Sequence, residues 1–557
     1  MKFSTTTTLI LAVCVFVMFE KIDFAADTVN SKDPGAAARG KPLCKVDVDH
    51  SVPLGSETRM VTIPRWIEND NGYGWVCRAI AVGDNGASVM AGKGMFNVGL
   101  TLYPAGTSTP VFGYPISGNE YPKVDIADRA DLAAGMVFDD IDPGAGEEFE
   151  ASVYIFRTTG NGTPEWSYSF PVTGDNAEGG VAVSDDGDVV LTWKPNPYTS
   201  HLMIEAFEGS GTPISSAQLQ TTMGHFEPRA VFLTDDGSRA YIFIPVETYI
   251  YDVTIGTVEQ TFFIPGSFDS HAISGDGGTM AYGGFGFFRV YRETAPGTWS
   301  EIVYHVTSTG CYTSRLALSR DGSRLGYQVQ QYSPAYDHIE IGMYDVDANT
   351  NLFTHSFDAP GTIYQLICSG VAVDDNGEYV AGISWGDSLK ATPEVFVFDA
   401  SGNPTCQIDT RGSALVIDLD ADGDVLAIGT MAGHCNAPIN GGDIVVADVF
   451  EQEIHVLGFP QLGGTIDLSV VEGGDTATIG VFDHLGDSHT SWGEAEVDFA
   501  TLLRTIGPTP IPSGGLSMPL SIPGSPSLAG RDVHFQGLIM DTPSGHLTNK
   551  VSVRLIP

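Results

Sequence analysis

The stretch Ala230 to Pro245, AVFLTDDGSRAYIFIP, reads as a β-hairpin. An alternating apolar run enters an Asp-Asp-Gly turn, and a second run rich in aromatic and β-branched residues leaves it. The chain holds nine such units. They read AIAVGDNGASVMAG from Ala79, VDIADRADLAAGMVF from Val124, VAVSDDGDVVLTW from Val181, VFLTDDGSRAYIFI from Val231 and HAISGDGGTMAYGG from His271. The series continues with LALSRDGSRLGYQV from Leu316, VAVDDNGEYVAGIS from Val371, IDLDADGDVLAIG from Ile417 and LSVVEGGDTATIG from Leu468. Successive turns lie about 40 to 57 residues apart, close to the period of a four-stranded propeller blade.

The units share a register. Four residues before the turn glycine, or its equivalent, stand Val82, Ile126, Val183, Leu233, Ile273, Leu318, Val373, Leu419 and Val470. The position two residues earlier is apolar everywhere except at His271. Between the two lie mostly small residues, with Asp125, Phe232 and Asp418 as exceptions. A period of two puts bulk on one strand face and small side chains on the other. Blades stacked face to face around an axis need that complementarity.

Composition agrees. The 557 residues exceed the usual size of a single-core domain, which a repeat architecture avoids. Only 17% are charged, while 66 Gly and 32 Pro suit many strands joined by tight turns. The net charge of −42 argues against nucleic acid and anionic membrane surfaces as partners, through simple repulsion.

The first residues read as an export signal. Lys2 precedes an apolar core, Leu9 to Phe19, and Ala25-Ala26 offers small residues for cleavage. The expected organisation is therefore a signal peptide at 1–26, a flexible leader at 27–44, a propeller at 45–507, a Pro/Gly/Ser-rich linker at 508–527 and a C-terminal β segment at 528–557. No later apolar stretch is long enough to span a bilayer, so the mature chain is expected in a secreted, cell-surface or periplasmic location. Two runs before the first unit, KVDVD and RMVTIPRWI, are candidates to pair with the last repeat and close a ring. Six cysteines remain after the signal, an even number compatible with disulfides: Cys311 with Cys368, Cys44 with Cys77, and Cys406 with Cys435 are the candidate pairs, with free buried thiols as the alternative.

The third strand of many units ends in an apolar residue and Asp, as in Tyr251-Asp252, Tyr344-Asp345 and Phe398-Asp399. With the Asp-Gly turn, this resembles the secreted bacterial β-propeller repeats of the TolB, lactonase and WD-repeat-like kind over residues 78–507. Leu528-Ala529-Gly530, Phe535-Gln536-Gly537 and Leu547-Thr548-Asn549 resemble a C-terminal segment of other secreted bacterial proteins. The resemblance implies an all-β fold: one large β-propeller of eight or nine four-stranded blades, plus the short C-terminal β segment. It implies no particular chemistry.

Few motifs carry chemistry. Gly382-Ile383-Ser384-Trp385-Gly386 has G-x-S-x-G spacing, yet it closes a repeat hairpin rather than a strand-to-helix turn. Asp418, Asp420 and Asp422 alternate before Gly423, as in the first half of a calcium loop, but Gly429 stands where a bidentate acid is needed. Calcium is thus a possible cofactor, against the simpler reading of a blade turn. His271 breaks the apolar register, and Arg78, Arg229 and Arg315 lie at the starts of inner strands, where they would form a basic patch for an anionic ligand. The alternatives are a histidine packed between blades and arginines paired across blades. The leading functional expectation is a secreted, non-enzymatic binding or scaffold protein for a protein, glycan or small anionic ligand. The alternative is a propeller hydrolase or lyase acting on a carbohydrate or ester.

Overall fold

The computed structural model describes residues 65–555, with breaks between strands of which 221–229 is the longest. The signal, the leader, Cys44, the KVDVD run and Arg229 lie outside the described residues. Seven four-stranded antiparallel sheets follow one another at 77–115, 123–169, 180–220, 230–263, 271–306, 311–358 and 368–408. These are blades 1 to 7, each ordered as in the sequence, so every blade is a simple meander. Blade 8 takes three strands from 414–448 and its fourth, Trp66–Asp70, from the opposite end of the chain.

The first strands of the blades touch in a closed cycle, blade 1 against 2 and so on to blade 8 against 1. The fold is thus an eight-bladed propeller, its first strands lining the axis. The bulk-against-small rule shows at the blade interfaces. A Cβ on Gly326 of blade 6 would lie 2.4 Å from Val373 and 3.5 Å from Val371 of blade 7, both register positions. Gly382 of blade 7 is similarly filled by Ile341 of blade 6 at 2.5 Å. Each absent side chain on one blade is the space a branched residue of its neighbour occupies.

The ring is closed by the end of the RMVTIPRWI run. Trp66 pairs with Val446 and Asp70 with Gly442. Side chains tie this strand across the seam to blade 1. Trp66 Nε1 donates to the Ala105 carbonyl at 2.8 Å, and its ring lies 5.2 Å from that of Tyr103. Glu68 accepts from Lys93 at 2.7 Å and from the Tyr103 hydroxyl, while Arg65 pairs with Asp448 inside blade 8.

The ninth unit does not form a blade. Thr465–Val470 pairs with Ile454–Leu457 and Leu516–Ser521, whereas Thr476–Phe482 pairs with Leu502–Pro510 and Asp532–Asp541. The expected hairpin is split between two sheets. Ile466, Leu468 and Val470 of one sheet share a core with Ala477, Ile479, Phe535 and Ile539 of the other. The expected linker at 508–527 contributes strands to both sheets, and the expected C-terminal segment pairs with the second half of the ninth unit. Residues 454–555 therefore form a separate β module. The ninth unit also lacks the turn cap that most blades share. Six of the blades carry Ser, Thr or Asp three residues before the turn glycine, and the ninth unit carries Val471 there.

Among the described residues, Cys77, Cys311, Cys368, Cys406 and Cys435 form no disulfide, contrary to the paired expectation and in line with its alternative. Cys77, Cys311, Cys368 and Cys406 act as small core residues. The Cys368 thiol donates to the Val329 carbonyl at 3.6 Å, and burial pushes the thiols of Cys77 and Cys368 up to about 12.

Because Trp66 is buried where the strand that completes blade 8 packs on blade 1, Trp66→Ala is expected to cost about 3 kcal/mol. Urea denaturation checks this, with Tyr198→Ala at an exposed site as a control expected to leave the midpoint unchanged.

Candidate functional site

In a meander, the turns between strands one and two of every blade lie at one mouth of the ring, and the connections to the next blade lie at the other. The first mouth is built by the repeated turn. In Ser184-Asp185-Asp186-Gly187 the Ser184 hydroxyl donates to Asp186 at 2.7 Å and accepts from Val189 N at 3.0 Å. Thr234 with Asp236, Ser274 with Asp276 and Ser319 with Asp321 repeat the donation at 2.7 to 2.8 Å. The turn glycines, such as Gly187 at φ 69 and Gly237 at φ 66, take the left-handed conformation that closes the turn.

The residue after each capping Ser, Thr or Asp links blade to blade through the backbone. Asp185 N donates to Asp235 O at 3.0 Å, Asp235 N to Gly275 O at 2.9 Å, Gly275 N to Arg320 O at 2.8 Å, Arg320 N to Asp375 O at 3.1 Å and Asp375 N to Ala421 O at 3.0 Å. Five successive interfaces, from blade 3 to blade 8, share this bond. The side chains on this circle meet over the axis. The Arg320 guanidinium reaches Asp235 at 2.6 Å and Asp375 at 3.0 Å, and also pairs with Asp185, so one cation joins blades 3, 4, 6 and 7. Burial raises the Asp235 carboxyl above its ordinary range, against the pull of Arg320. The sequence contains the signal for this cluster, because the residue two before each turn glycine is Asp in blades 1 to 4 and 7 and Arg in blade 6. The register comparison of apolar positions passes over that column.

The calcium-like run resolves into three repeat positions. Asp418 lies on the inner strand Ala414–Leu419 and accepts from Val82 N of blade 1 at 2.8 Å. Asp420 occupies the Ser/Thr cap position, accepting from Asp424 N at 2.7 Å and Val425 N at 2.9 Å. Asp422 occupies the turn-Asp position of Asp186 and Asp236. The carboxylates of Asp418 and Asp420 are thus directed to different backbone groups. Among the described residues, no three His, Cys, Asp or Glu side chains gather in a metal-binding arrangement.

Asp125 of blade 2 mirrors Asp418, accepting from Val183 N of blade 3 at 2.7 Å. Burial is the main cause that pushes Asp125 up to about 6 and Asp418 up to about 7, and the charge of Asp125 adds to the rise at Asp418. Each is an inter-blade staple on an inner strand, found at the two Asp exceptions in the small-residue column.

The other expected site residues do not assemble. His271 is buried between blades, its ring 4.4 Å from that of Phe243. The Arg315 guanidinium donates to Ser314 O at 2.8 Å and to Ser369 O of blade 7 at 3.1 Å, tying two blades through carbonyls rather than carboxylates. Arg78 is exposed at the start of blade 1. Ser384 is fully buried and donates to Pro393 O at 3.4 Å.

The second mouth carries rings. Phe285, on the turn of blade 5 between Thr279–Gly284 and Phe287–Ala295, lies 5.7 Å from Tyr312 and 5.5 Å from Tyr332 of blade 6. Tyr332 lies 5.8 Å from Tyr336. Phe285 is 41% exposed.

No family model matches the chain, and no curated protein matches it. Among solved structures it is similar to one titled "Structure of Dos1 propeller", at 12% identity and a TM-score of 0.47, over 71% of this chain and 96% of that one. It is also similar to Sqt1 of Saccharomyces cerevisiae, at 10% identity and a TM-score of 0.48, over 70% of this chain and 100% of that one.

Two outcomes follow from the buried charges. For Asp125 and Asp418 the folded state holds protons more tightly than the unfolded chain. Their contribution to stability is present on the acid side and is lost as pH rises through about 4 to 7. The melting temperature is expected to fall from pH 5 to pH 8, and Asp418→Asn to raise it at pH 8 while flattening the profile. Arg320→Met leaves Asp185, Asp235 and Asp375 facing one another without their cation. It is expected to lower the melting temperature at low ionic strength, with the deficit narrowing in about 1 M salt.

Proposed function

We propose that the chain is a non-enzymatic binding or scaffold propeller that meets its partner on the mouth formed by the blade-to-blade connections. The observation that supports this is where the reactive side chains lie. His271 and Ser384 are buried, Asp418 and Arg315 staple neighbouring blades, and Arg320 closes the other mouth over its carboxylates. By contrast, the connection mouth leaves Phe285 partly in water beside Tyr332 and Tyr336. Partly exposed aromatic rings on rigid elements are the usual anchors of recognition surfaces. Export belongs to the same reading, supported by the apolar Leu9 to Phe19 run after Lys2. Among the described residues, no helix is long and apolar enough to cross a membrane.

One observation favours a hydrolase or lyase: Asp125 and Asp418 are buried carboxyls with raised proton affinity, the first adding to the rise at the second, as in many acid–base pairs. Each accepts a neighbouring blade's backbone N–H, which suits a staple better than a proton donor facing substrate.

A panel of chromogenic esters and glycosides, together with polysaccharides scored for lyase products, separates the readings. The binding reading expects no turnover that depends on His271 or Asp418. Turnover abolished by His271→Gln or Asp418→Asn, with the melting temperature retained, would overturn it.

A further inference from the structure

We propose that the aromatic array at the connection mouth of blades 5 and 6 binds a neutral saccharide chain, a deepening that rests on the binding reading above. The array is fixed from both sides. Phe285 forms an antiparallel bridge with Tyr312, so its ring is held where blade 5 meets the inner strand of blade 6. Beside it Gly286 N donates to Cys311 O at 2.9 Å, and no atom lies within 4 Å of where its Cβ would stand. Tyr332 N donates to Gly310 O at 3.0 Å.

Tyr336 has φ 55, a left-handed conformation that a bulky residue adopts at a cost. The surroundings enforce it. Its carbonyl accepts from Leu366 N at 2.8 Å, and the next residue donates from Asp337 N to Gln331 Oε1 at 3.2 Å and accepts from Ala359 N at 2.8 Å. Nothing in the turn itself requires a tyrosine, since glycine would sit there without strain. The strain is accepted while a phenol is presented next to the Tyr332 ring, which itself packs on Phe285, and this is the pattern of a preorganised contact.

The chemistry of the array selects the ligand class. A net charge of −42 repels anionic ligands and nucleotides, whose phosphates would accompany any stacked base. The carboxylates on the neighbouring strand His338–Asp345 do not supply a site for a basic peptide, because Glu340 is engaged by Ser308 and His338, and His338 also holds Asp358 at 2.7 Å. The part-exposed rings of Phe285, Tyr332 and Tyr336 meet at 86° and 71°, so they offer a stepped series of faces and edges rather than one flat shelf, with Phe285 backed by the buried Tyr312. Puckered sugar rings fit such steps. Their C–H faces stack on aromatic faces, and their hydroxyls reach the phenol oxygens and the amide of Gln331 at the edges.

The test is isothermal titration of the full chain with cellohexaose, xylohexaose, mannohexaose and chitohexaose. At least one is expected to bind, with Tyr332→Ala and Tyr336→Gly each weakening it about tenfold or more. Tyr336→Gly removes the ring while relieving the backbone, so its melting temperature is expected not to fall, and lost binding then reports the ring. Tyr198→Ala, at an exposed tyrosine of blade 3, is expected to bind as the parent does. Silence of all four sugars at about 5 mM, or undiminished binding by both array variants, would overturn the saccharide inference. It would leave the binding-propeller reading intact, because that reading falls only to turnover dependent on His271 or Asp418.

Discussion

The run of backbone hydrogen bonds that joins the turns of blades 3 to 8 is the constraint on which the rest depends. A tight turn between two strands leaves an N–H without a partner inside its own hairpin. The chain satisfies it with the carbonyl of the next blade's equivalent turn, from Asp185 through Asp235, Gly275, Arg320 and Asp375 to Ala421. That bond fixes how far each blade is rotated from the last. It also brings the side chains of one turn position together over the axis. Like charges repeated at one position of a ring repel, and Arg320 among Asp185, Asp235 and Asp375 offsets part of that repulsion.

The blades were legible because each obeys two local rules at once. A period-two apolar pattern sets the strand faces, and an Asp-Gly turn sets the register. Val371 and Val373 could be assigned to a packed face from sequence, and in the structure they fill the space left by Gly326. Leu468 to Gly480 passes the apolar rule but not the capping one, as Val471 stands in the place of Ser184 or Asp420. Its two strands join different sheets. Apolar alternation says that a strand is buried, but it does not say which strand lies beside it: blades 1 and 2, with Gly83 and Ala127 at the cap position, still form hairpins. Likewise the Pro-rich run at 508–527 reads as a linker because proline disrupts a ladder, yet Leu516–Ser521 pairs along one edge with Pro519 opposite Asp467.

The candidate site was less legible for a physical reason. Exceptions to an apolar pattern can be functional or structural, and sequence does not separate the two. His271 and Asp418 were visible as exceptions, but one is packed on Phe243 and the other holds Val82 N of the adjoining blade. The alternating Asp418, Asp420 and Asp422 imitate a calcium loop because three different repeat positions happen to carry the same residue in blade 8. The rings of Phe285, Tyr332 and Tyr336 come from connections that follow no repeat, and only the closing of blade 5 on blade 6 brings them together.

The seam at Trp66–Asp70 bears on how the molecule comes into being. Arg65 and Asp448 meet across 383 positions of sequence. A chain made from its N-terminus must carry the closing strand as an open, unpaired edge while seven blades form, and only then can blade 8 receive it. During that interval the edge is equally complementary to blade 8 of another copy, so the route to the closed monomer competes with strand exchange between chains. The competition is set by concentration, because closure within one chain is independent of how many copies are present and exchange is not.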